Sequence, residues 1–163
     1  MDISIKLADA SEKHVLRNML ELYFYDMSEF DDEDDRLELN AAGLYGYRWL
    51  DYYFNEDDRF AYLLRVNGNL AGFAMLRQLE AGHFAGAEFF VMRKYRKMGI
   101  GEQLAREIYT KHKGKWAIST PATNEAAKHI WRKIIDDITN GEYTEELCCD
   151  SRRIQWVFNL QGE

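Results

Sequence analysis

Proline, cysteine and long apolar runs are scarce in this chain, and each scarcity excludes a class of protein. The chain has one proline and two cysteines. Cys148 and Cys149 are adjacent, which suits neither a disulfide framework nor a CxxC metal or redox site. The apolar runs, such as residues 84–92, fall far short of the roughly 20 residues that a membrane helix needs. No signal peptide is visible at the start. We therefore expect a reduced, cytoplasmic protein that uses no metal and binds no membrane.

The chain also lacks a uniform surface charge, although its net charge is -7. Residues 26–38, the acidic segment, hold eight acids and one base, Arg36, so the other 150 residues balance at twenty acids and twenty bases. Residues 92–115 carry eight bases and two acids. Sequence-independent binding of nucleic acid depends on Lys and Arg neutralising phosphates. An overall acidic chain is a poor candidate for that role, so we expect no nucleic-acid partner.

The length and the hydrophobic pattern predict one mixed α/β domain over residues 1–163. A chain of this size can remove roughly two-thirds of its unfolded surface from water. Ile3–Leu7 alternates as a strand, and Asp9 with Glu12 forms a capping box before a helix. Asn67-Gly68 predicts a tight hairpin turn. The remaining predicted elements are a helix at 44–54, hairpin strands at 60–66 and 70–77, a strand at 83–92, a helix at 99–112, a strand at 116–119, a helix at 124–135 and a strand at 154–160.

One segment has the composition of a phosphate-binding site. From Glu88 to Glu102 an apolar strand leads into a basic loop with two glycines, and a helix starts there. Unpaired N–H groups at a helix start bind anions, and glycine lets a phosphate approach them closely. A P-loop string is absent, and Leu104 stands where a dinucleotide fingerprint needs its third glycine. What remains is Val91-x-x-x-x-Arg96-x-x-Gly99-x-Gly101.

This string resembles the acyl-CoA motif of the GNAT superfamily of N-acyltransferases. A second match is residues 124–131, which resemble the family's Asn-x-x-Ala segment. A closer resemblance, to a less characterised bacterial branch of that superfamily, lies at residues 25–29, 43–47, 71–73, 88–91 and 131–135. The resemblance implies a GNAT-like fold, with a central mixed, mostly antiparallel sheet flanked by helices.

Acetyl-CoA is the cofactor that the resemblance implies, and it would lie between two splayed parallel strands, 83–92 and 116–119. Backbone groups would hold the pantetheine arm and the pyrophosphate, and Arg96 would assist at the pyrophosphate. Asn124 would contact the pantetheine region, a role compatible with capping its helix. Trp131 replaces the family's proton-donating tyrosine and would pack against the cofactor. The predicted cofactor-binding residues are Phe89, Phe90, Val91, Arg96, Lys97, Met98, Gly99, Ile100, Gly101, Glu102, Asn124 and Trp131.

The resemblance further implies direct transfer of an acetyl group to a primary amine, which requires a base. The positions where family members commonly carry that base are Ala85 and Ala87 here. Glu88 is the only acid between His83 and Glu102. An acid in an apolar strand costs energy unless it is partnered or faces a cleft, so Glu88 is either the catalytic base or a structural partner. A β-bulge would re-aim its side chain.

The acceptor side is predicted from the acidic segment and the tyrosines around it. The resemblance implies that the first two helices and their connection wall the acceptor site, and that region holds the acidic segment and Tyr23, Tyr25, Tyr45 and Tyr47. Carboxylates and phenol rings attract cations, so we expect a cationic small-molecule amine, with Tyr25, Asp26 and Glu29 contacting it. The alternatives are a peptide or protein amine as acceptor, a solvated acidic loop without a substrate role, and a non-catalytic acyl-CoA-binding or sensing module. A homodimer is compatible with the sequence.

Overall fold

A seven-stranded mixed sheet forms the centre of the protein. The computed structural model describes residues 1–30 and 34–161. The strands lie in the order β1-β2-β3-β4-β5-β7-β6, and all neighbours are antiparallel except β4 and β5. The strands are β1 (Ile3–Leu7), β2 (Arg59–Val66), β3 (Asn69–Glu80), β4 (His83–Val91), β5 (Gly114–Pro121), β6 (Tyr143–Cys148) and β7 (Arg153–Leu160).

Helices cover both faces of the sheet. They are α1 (Lys13–Met27), α2 (Tyr52–Asn55), α3 (Ile100–Lys111) and α4 (Glu125–Thr139), and short 3₁₀ turns lie at Ala10–Glu12, Asp35–Leu37 and Arg93–Tyr95. The apolar side chains of α1 and α2 pack on one face, in a cluster with Phe73, Met75 and Phe90. Those of α3 and α4 pack on the other face, around Trp116 and Trp156. The predicted mixed, mostly antiparallel sheet flanked by helices is confirmed.

Two local predictions are confirmed because short-range chemistry decides them. Asn67 and Gly68 both have left-handed backbone, with φ of 50° and 82°, and close the β2–β3 hairpin. Asp9 and Glu12 form the capping box, in which the Asp9 carboxylate accepts from the Ser11 backbone N–H at 2.9 Å. The box begins a 3₁₀ turn that continues into α1.

One predicted element is wrong and one strand is missing from the predictions. In place of the helix expected at 44–54, residues 44–47 have no regular structure, residues 48–51 form a turn, and the four-residue helix α2 follows. The strand β6 was not predicted. It is an edge strand in which no side chain is buried, so its sequence has no apolar face.

The strands β4 and β5 separate soon after they meet. Their parallel pairing covers three residue pairs, His83 to Ala85 against Lys115 to Ala117. Beyond Ala85 and Ala117 the two strands run on unpaired with each other, and we call this gap the seam. The seam opens in the middle of the sheet, between two strands that are each paired on their other side. It therefore leaves strand backbone available to a ligand.

A β-bulge in β4 reverses which face its side chains meet. Met75 pairs with Glu88 but Leu76 pairs with Gly86, so Ala87 is the extra residue. Phe84 packs on the α3–α4 face, and in a regular strand Glu88 would share that face. The bulge instead turns Glu88 toward α1, where it lines a pocket with Tyr23 and Phe24.

Candidate active site

A pocket of about 200 Å³ lies beside the seam on the α1 face of the sheet. Five parts of the chain meet there: α1, the acidic segment, β4, the end of β5 and the start of β7. Its lining residues are Tyr23, Phe24, Met27, Asp34, Arg36, Leu37, Ala87, Glu88, Ser119, Pro121 and Arg153. The hydroxyl of Thr123, in the loop after β5, donates to the carbonyl of Phe30, which ties the end of α1 to this site.

Glu88 is the most buried carboxylate of the pocket, with 8% of its surface exposed. Burial raises the pKa of its carboxyl group above the ordinary value, while the Tyr23 hydroxyl and the positive charges of Arg36 and Arg153 act in the opposite direction. Tyr23 is fixed by edge contacts of its ring with Phe73 and Phe90, whose centroids lie 5.7 and 5.9 Å away. A carboxylate whose pKa is raised by burial holds a proton more readily than an exposed one, so it is suited to accept a proton in the pocket.

Arg36 bridges the two carboxylates of the pocket. Its Nε lies 3.1 Å from both oxygens of Asp34, and its Nη2 lies 2.7 Å from Asp34 Oδ2. Its Nη1 lies 3.4 Å from Glu88 Oε1. Hydrogen bonds from Arg36 hold the pKa of Asp34 below its ordinary value. The one base of the acidic segment therefore lies between Asp34 and the buried acid of β4.

The start of α3 has the features of an anion site. Gly99 precedes the helix with a φ of 76°, which favours glycine, and no side chain caps the first turn. A Cβ at Gly99 would have no neighbouring atom within 4 Å, so the space over this turn is open. Lys97 is also left-handed, with a φ of 63°. Uncapped N–H groups, the helix dipole and open space fit the diphosphate of coenzyme A.

The backbone of β4 at the seam fits an extended pantetheine arm. Met92 donates to the carbonyl of Ala71 on the β3 side, at 2.8 Å. Because strand groups alternate, the N–H and C=O groups of Phe89 and Val91 point toward β5, across the seam. Those of Phe90 pair with β3. The Val91 carbonyl accepts from Arg96 Nε at 2.8 Å, which leaves its N–H directed at the seam.

Arg96 of the motif is held by Asp26. Arg96 Nη2 lies 2.6 Å from Asp26 Oδ2, and Arg93 reaches the other oxygen at 2.6 and 3.0 Å. The guanidinium of Arg96 also lies over the ring of Phe90, 5.8 Å from its centroid. Burial acts to raise the pKa of Asp26, but the hydrogen bonds from Arg93 and Arg96 outweigh it and leave the pKa lower than usual. The end of α1 is thus tied to the basic loop.

The predicted residues of α4 lie on the other side of the seam. Asn124 is buried and caps α4, since its Oδ1 accepts the N–H of Ala127 at 3.1 Å. Trp131 is half-buried and packs edge-on against Phe89 of β4, with ring centroids 4.9 Å apart. Trp131 therefore borders the part of β4 that faces the seam, and Asn124 lies just beyond the end of β5.

The other predicted cofactor residues differ in what their side chains can reach. Met98 is exposed, whereas Ile100 is buried in the core. Glu102 forms ion pairs with Arg106 at 2.8 Å and with Lys133 at 3.1 Å. Ile100 and Glu102 can therefore meet a ligand through their backbone N–H groups, as the resemblance implies.

The predicted acceptor residues lie outside the pocket lining. Tyr25 lies on α1, and Glu29 lies just beyond the end of that helix. Asp26 faces the basic loop, where it pairs with Arg93 and Arg96. The charged residues of the acidic segment that line the pocket are Asp34 and Arg36. Asp31, Asp32 and Glu33 lie outside the described residues.

Two charged residues of the pocket, Arg36 and Arg153, are not among the sequence predictions, whereas Tyr23 is one of the tyrosines expected on the acceptor side. Arg153 donates from Nε to Ser119 Oγ at 3.0 Å and from Nη2 to the Ser119 carbonyl at 3.3 Å. The sequence carried one signal for Arg36, because it is the single base among eight acids. Arg153 carried none, since only the β5–β7 pairing brings it to the seam.

Together these features define a class of protein. A parallel pair that splays, an uncapped helix start behind a basic loop, and a buried acid beside the opening are the parts of an acyl-CoA-dependent transferase. The chain belongs to the acetyltransferase (GNAT) family, whose model matches residues 15–135. Acetyl-CoA is the acetyl donor of this family, and its reaction is N-acetyl transfer.

Solved structures share the fold at low sequence identity. An acetyltransferase from Thermus thermophilus has a TM-score of 0.71 and 14% identity, with 98% of each chain covered. A putative streptothricin acetyltransferase from Bacillus anthracis str. Ames, solved with acetyl coenzyme A, has a TM-score of 0.63 and 15% identity, covering 99% of this chain and 100% of that one. The ribosomal-protein-S18-alanine N-acetyltransferase from Escherichia coli has a TM-score of 0.64 and 12% identity, covering 99% and 96%.

No curated protein matches the chain by sequence. No helix in the described ranges is both long and apolar enough to cross a membrane. Within residues 1–30 and 34–161, no three His, Cys, Asp or Glu side chains are grouped to hold a metal ion.

Proposed function

We propose that this protein, as a single domain over residues 1–163, transfers the acetyl group of acetyl-CoA directly to the primary amine of a small molecule bound in the pocket, with Glu88 as the base. The observation that carries the proposal is the position of Glu88. The bulge in β4 turns this acid into the pocket, beside the seam and on the face opposite Phe89 and Trp131. The acceptor would enter on the α1 face and the donor on the α3–α4 face.

The donor would be held by backbone groups of the chain. The N–H groups from Lys97 to Glu102 would bind the diphosphate, because the start of α3 is uncapped and open. The Phe89 and Val91 groups at the seam would pair with the pantetheine arm. Trp131 and Asn124 would line the opposite side of that arm. When bound, acetyl-CoA supplies a thioester whose carbonyl carbon the amine attacks.

Glu88 would make the amine reactive. At neutral pH the acceptor amine arrives as an ammonium ion, which has no lone pair to donate. Its proton would pass to the Glu88 carboxylate, directly or through one water molecule. A nitrogen–carbon bond then forms, the carbon–sulfur bond breaks, and the second nitrogen proton ends on the departing sulfur. Burial of Glu88 supports this role, because the raised pKa of its carboxyl group brings the carboxyl closer to the amine in proton affinity.

The size of the pocket supports a small acceptor. About 200 Å³ is less than the 300–1,000 Å³ typical of sites for drug-sized ligands. The solved relatives act on different acceptors by their names, one on streptothricin and one on a ribosomal protein's alanine. Neither name transfers at this identity, so the acceptor class follows from the pocket of this chain. Peptide and protein amines remain the competing acceptors in the test.

The test is a panel of small primary amines, short peptides and intact protein, assayed with acetyl-CoA by release of free thiol. We expect thiol release with at least one group of small amines, well above the rate without amine, together with a product in which one amine hydrogen is replaced by an acetyl group, identified by mass spectrometry. Acetylation of peptides or protein alone would overturn the small-molecule acceptor. Tight binding of coenzyme A with no amine consumed would instead support the non-catalytic binding module.

A further inference from the structure

The charges of the pocket carry an inference about the acceptor. Four charged side chains line it: Asp34, Glu88, Arg36 and Arg153. The inference rests on the proposed function, because it concerns the acceptor that Glu88 would deprotonate. These four side chains differ in whether an oppositely charged group of the protein lies within ion-pair distance.

Arg36 is balanced by the carboxylates around it. Its contacts with Asp34 use Nε and Nη2 at 2.7 to 3.1 Å, and Nη1 faces Glu88 at 3.4 Å. All three nitrogens of this guanidinium therefore have a carboxylate partner. Such a bidentate pair is among the strongest in proteins, and it leaves little of Arg36 for a ligand.

Arg153 has no such balance within residues 1–30 and 34–161. Its hydrogen-bond partners are the hydroxyl and the carbonyl of Ser119, at 3.0 and 3.3 Å, and both are neutral oxygens. They fix the guanidinium at the end of β5 and use two of its five N–H donors. The positive charge of Arg153 acts on Glu88, Asp34 and Tyr23 at distances longer than an ion pair. The pocket therefore has one held cation that forms no ion pair with a carboxylate among the described residues.

With both carboxylates ionised these four charges balance, two negative and two positive, and an acceptor that arrives as an ammonium ion adds one positive charge. Once Glu88 has taken a proton from the amine, Asp34 is the remaining negative charge among the four, against Arg36 and Arg153. A partly buried pocket with a net positive charge is costly unless an anion compensates it. The compensating anion would have to come with the acceptor.

We propose that the acceptor is a small amine that also carries a carboxylate, and that Arg153 is the residue that recognises this carboxylate. The fork of a guanidinium matches the two oxygens of a carboxylate. A pocket of about 200 Å³ suits a molecule of amino-acid size. This acceptor differs from the purely cationic small-molecule amine expected from the acidic segment, in which Asp26 and Asp34 are already paired with arginines.

Matched substrates test the proposal. Each trio consists of an amino acid, its carboxamide and the corresponding amine without the carboxyl group, so that the amine is kept while the carboxylate is removed. Polyamines form a further arm. We expect the carboxylate member of at least one trio to have a kcat/KM tenfold or more above its carboxamide. Equal or better use of the carboxamides, or a preference for polyamines, would overturn the proposal while leaving acetyl transfer intact.

Variants assign the recognition to Arg153. In R153Q the advantage of the acid over its amide should fall to about onefold, because the amide loses nothing that it used. R153K, which keeps the charge but loses the fork, should retain part of the advantage. R152Q is the matched control, since Arg152 is the neighbouring base and does not line the pocket. An equal loss for acid and amide in R153Q would show a structural role and overturn the assignment.

Binding provides a readout that does not depend on catalysis. The N-acetylated amino acid and its carboxamide are titrated calorimetrically into the protein saturated with coenzyme A. We expect the acid to bind at least tenfold more tightly in the wild-type protein and in R152Q, but not in R153Q. If no amine were acetylated and this difference persisted, the proposed function would fail and the anion site would stand. Equal affinity for acid and amide would overturn the anion site.

Discussion

The guanidinium of Arg36 lies 3.4 Å from the carboxylate of Glu88, measured between Nη1 and Oε1. The two residues are 52 positions apart, and one belongs to the acidic segment whereas the other belongs to the central sheet. The contact joins the acidic segment, which lines one side of the pocket, to the candidate base Glu88. Substitutions in the acidic segment should therefore alter the titration of Glu88 as well as the binding of the acceptor.

Replacing Glu88 by glutamine should lower kcat by about 10²- to 10⁴-fold, the usual contribution of a general base. Binding of coenzyme A, measured by calorimetry, should change little, because the donor site uses other groups. Loss of donor binding together with activity would indicate that the substitution disturbs β4 instead.

The same substitution should not lower stability near neutral pH. The folded-state pKa of Glu88 is raised above the ordinary 4.5, so the stability that its protonated form provides is present below that value. This stability is lost as the pH rises through the folded-state pKa. Glutamine carries no charge, so E88Q avoids the free-energy cost of burying an ionised carboxylate. The Tm of E88Q at about pH 7 to 8 should therefore equal or exceed that of the wild-type protein. A clear drop in Tm would show that Glu88 is a structural partner.

Replacing Arg36 by glutamine should move the acidic limb of the pH profile of kcat/KM to higher pH. The positive charge of Arg36 lowers the pKa of Glu88 against the effect of burial, so its removal raises that pKa further. A higher pH is then needed to ionise the Glu88 carboxyl group. Arg36→Lys, which keeps the charge, should give a smaller shift. A limb that stays in place or moves to lower pH would exclude Glu88 as the titrating group.

A Gly99→Glu/Gly101→Glu variant should weaken the binding of coenzyme A by more than about tenfold, or roughly 1.4 kcal/mol. Each glutamate places a negative charge and a side chain at the start of α3, where the diphosphate is expected. Gly82→Glu is the matched control, because Gly82 is also a turn glycine with positive φ and open surroundings. Equal affinity in both variants would exclude this loop as the diphosphate site.

Replacing Asp26 by asparagine should lower the free energy of unfolding at neutral pH by about 1 kcal/mol, the upper end for partly exposed ion pairs. The pKa of Asp26 is held below its ordinary 3.8, so its contribution is present above that value. It is lost as the pH falls through the folded-state pKa. Denaturant unfolding should show the difference between wild-type and variant at neutral pH and a smaller one below about pH 3.8. A difference that is the same at both pH values would mean that the ion pairs with Arg93 and Arg96 contribute nothing.

The sequence predicts well where neighbours along the chain decide the structure. The turn at Asn67-Gly68 and the capping box at Asp9 need only residues within three positions of each other. The helix predicted at 44–54 fails for the opposite reason. The carboxylate of Glu21 on α1 accepts hydrogen bonds from the backbone N–H groups of Tyr45 and Gly46, at 2.7 and 3.1 Å, and holds this segment outside a helix. That contact joins segments 24 and 25 residues apart.

Some residues of the candidate site could likewise be predicted from the sequence, and others could not. The donor loop around Gly99 is contiguous in the sequence, so its motif was visible. The acceptor pocket is built from residues that the sheet order brings together, such as Arg36 and Arg153, and no local pattern marks them. Glu88 stands between these cases, because its isolation in an apolar strand was visible while its direction depended on the bulge at Ala87.

The short pairing of β4 with β5 makes the sheet two sub-sheets, β1 to β4 and β5 to β7, joined by three residue pairs. A pantetheine arm bound along Phe89 and Val91 would extend that junction and act as a structural member of the sheet. Since a ligand that binds only the folded state stabilises it in proportion to the logarithm of its concentration, the supply of acetyl-CoA would govern how long the folded protein survives heat and proteolysis as well as how fast it works.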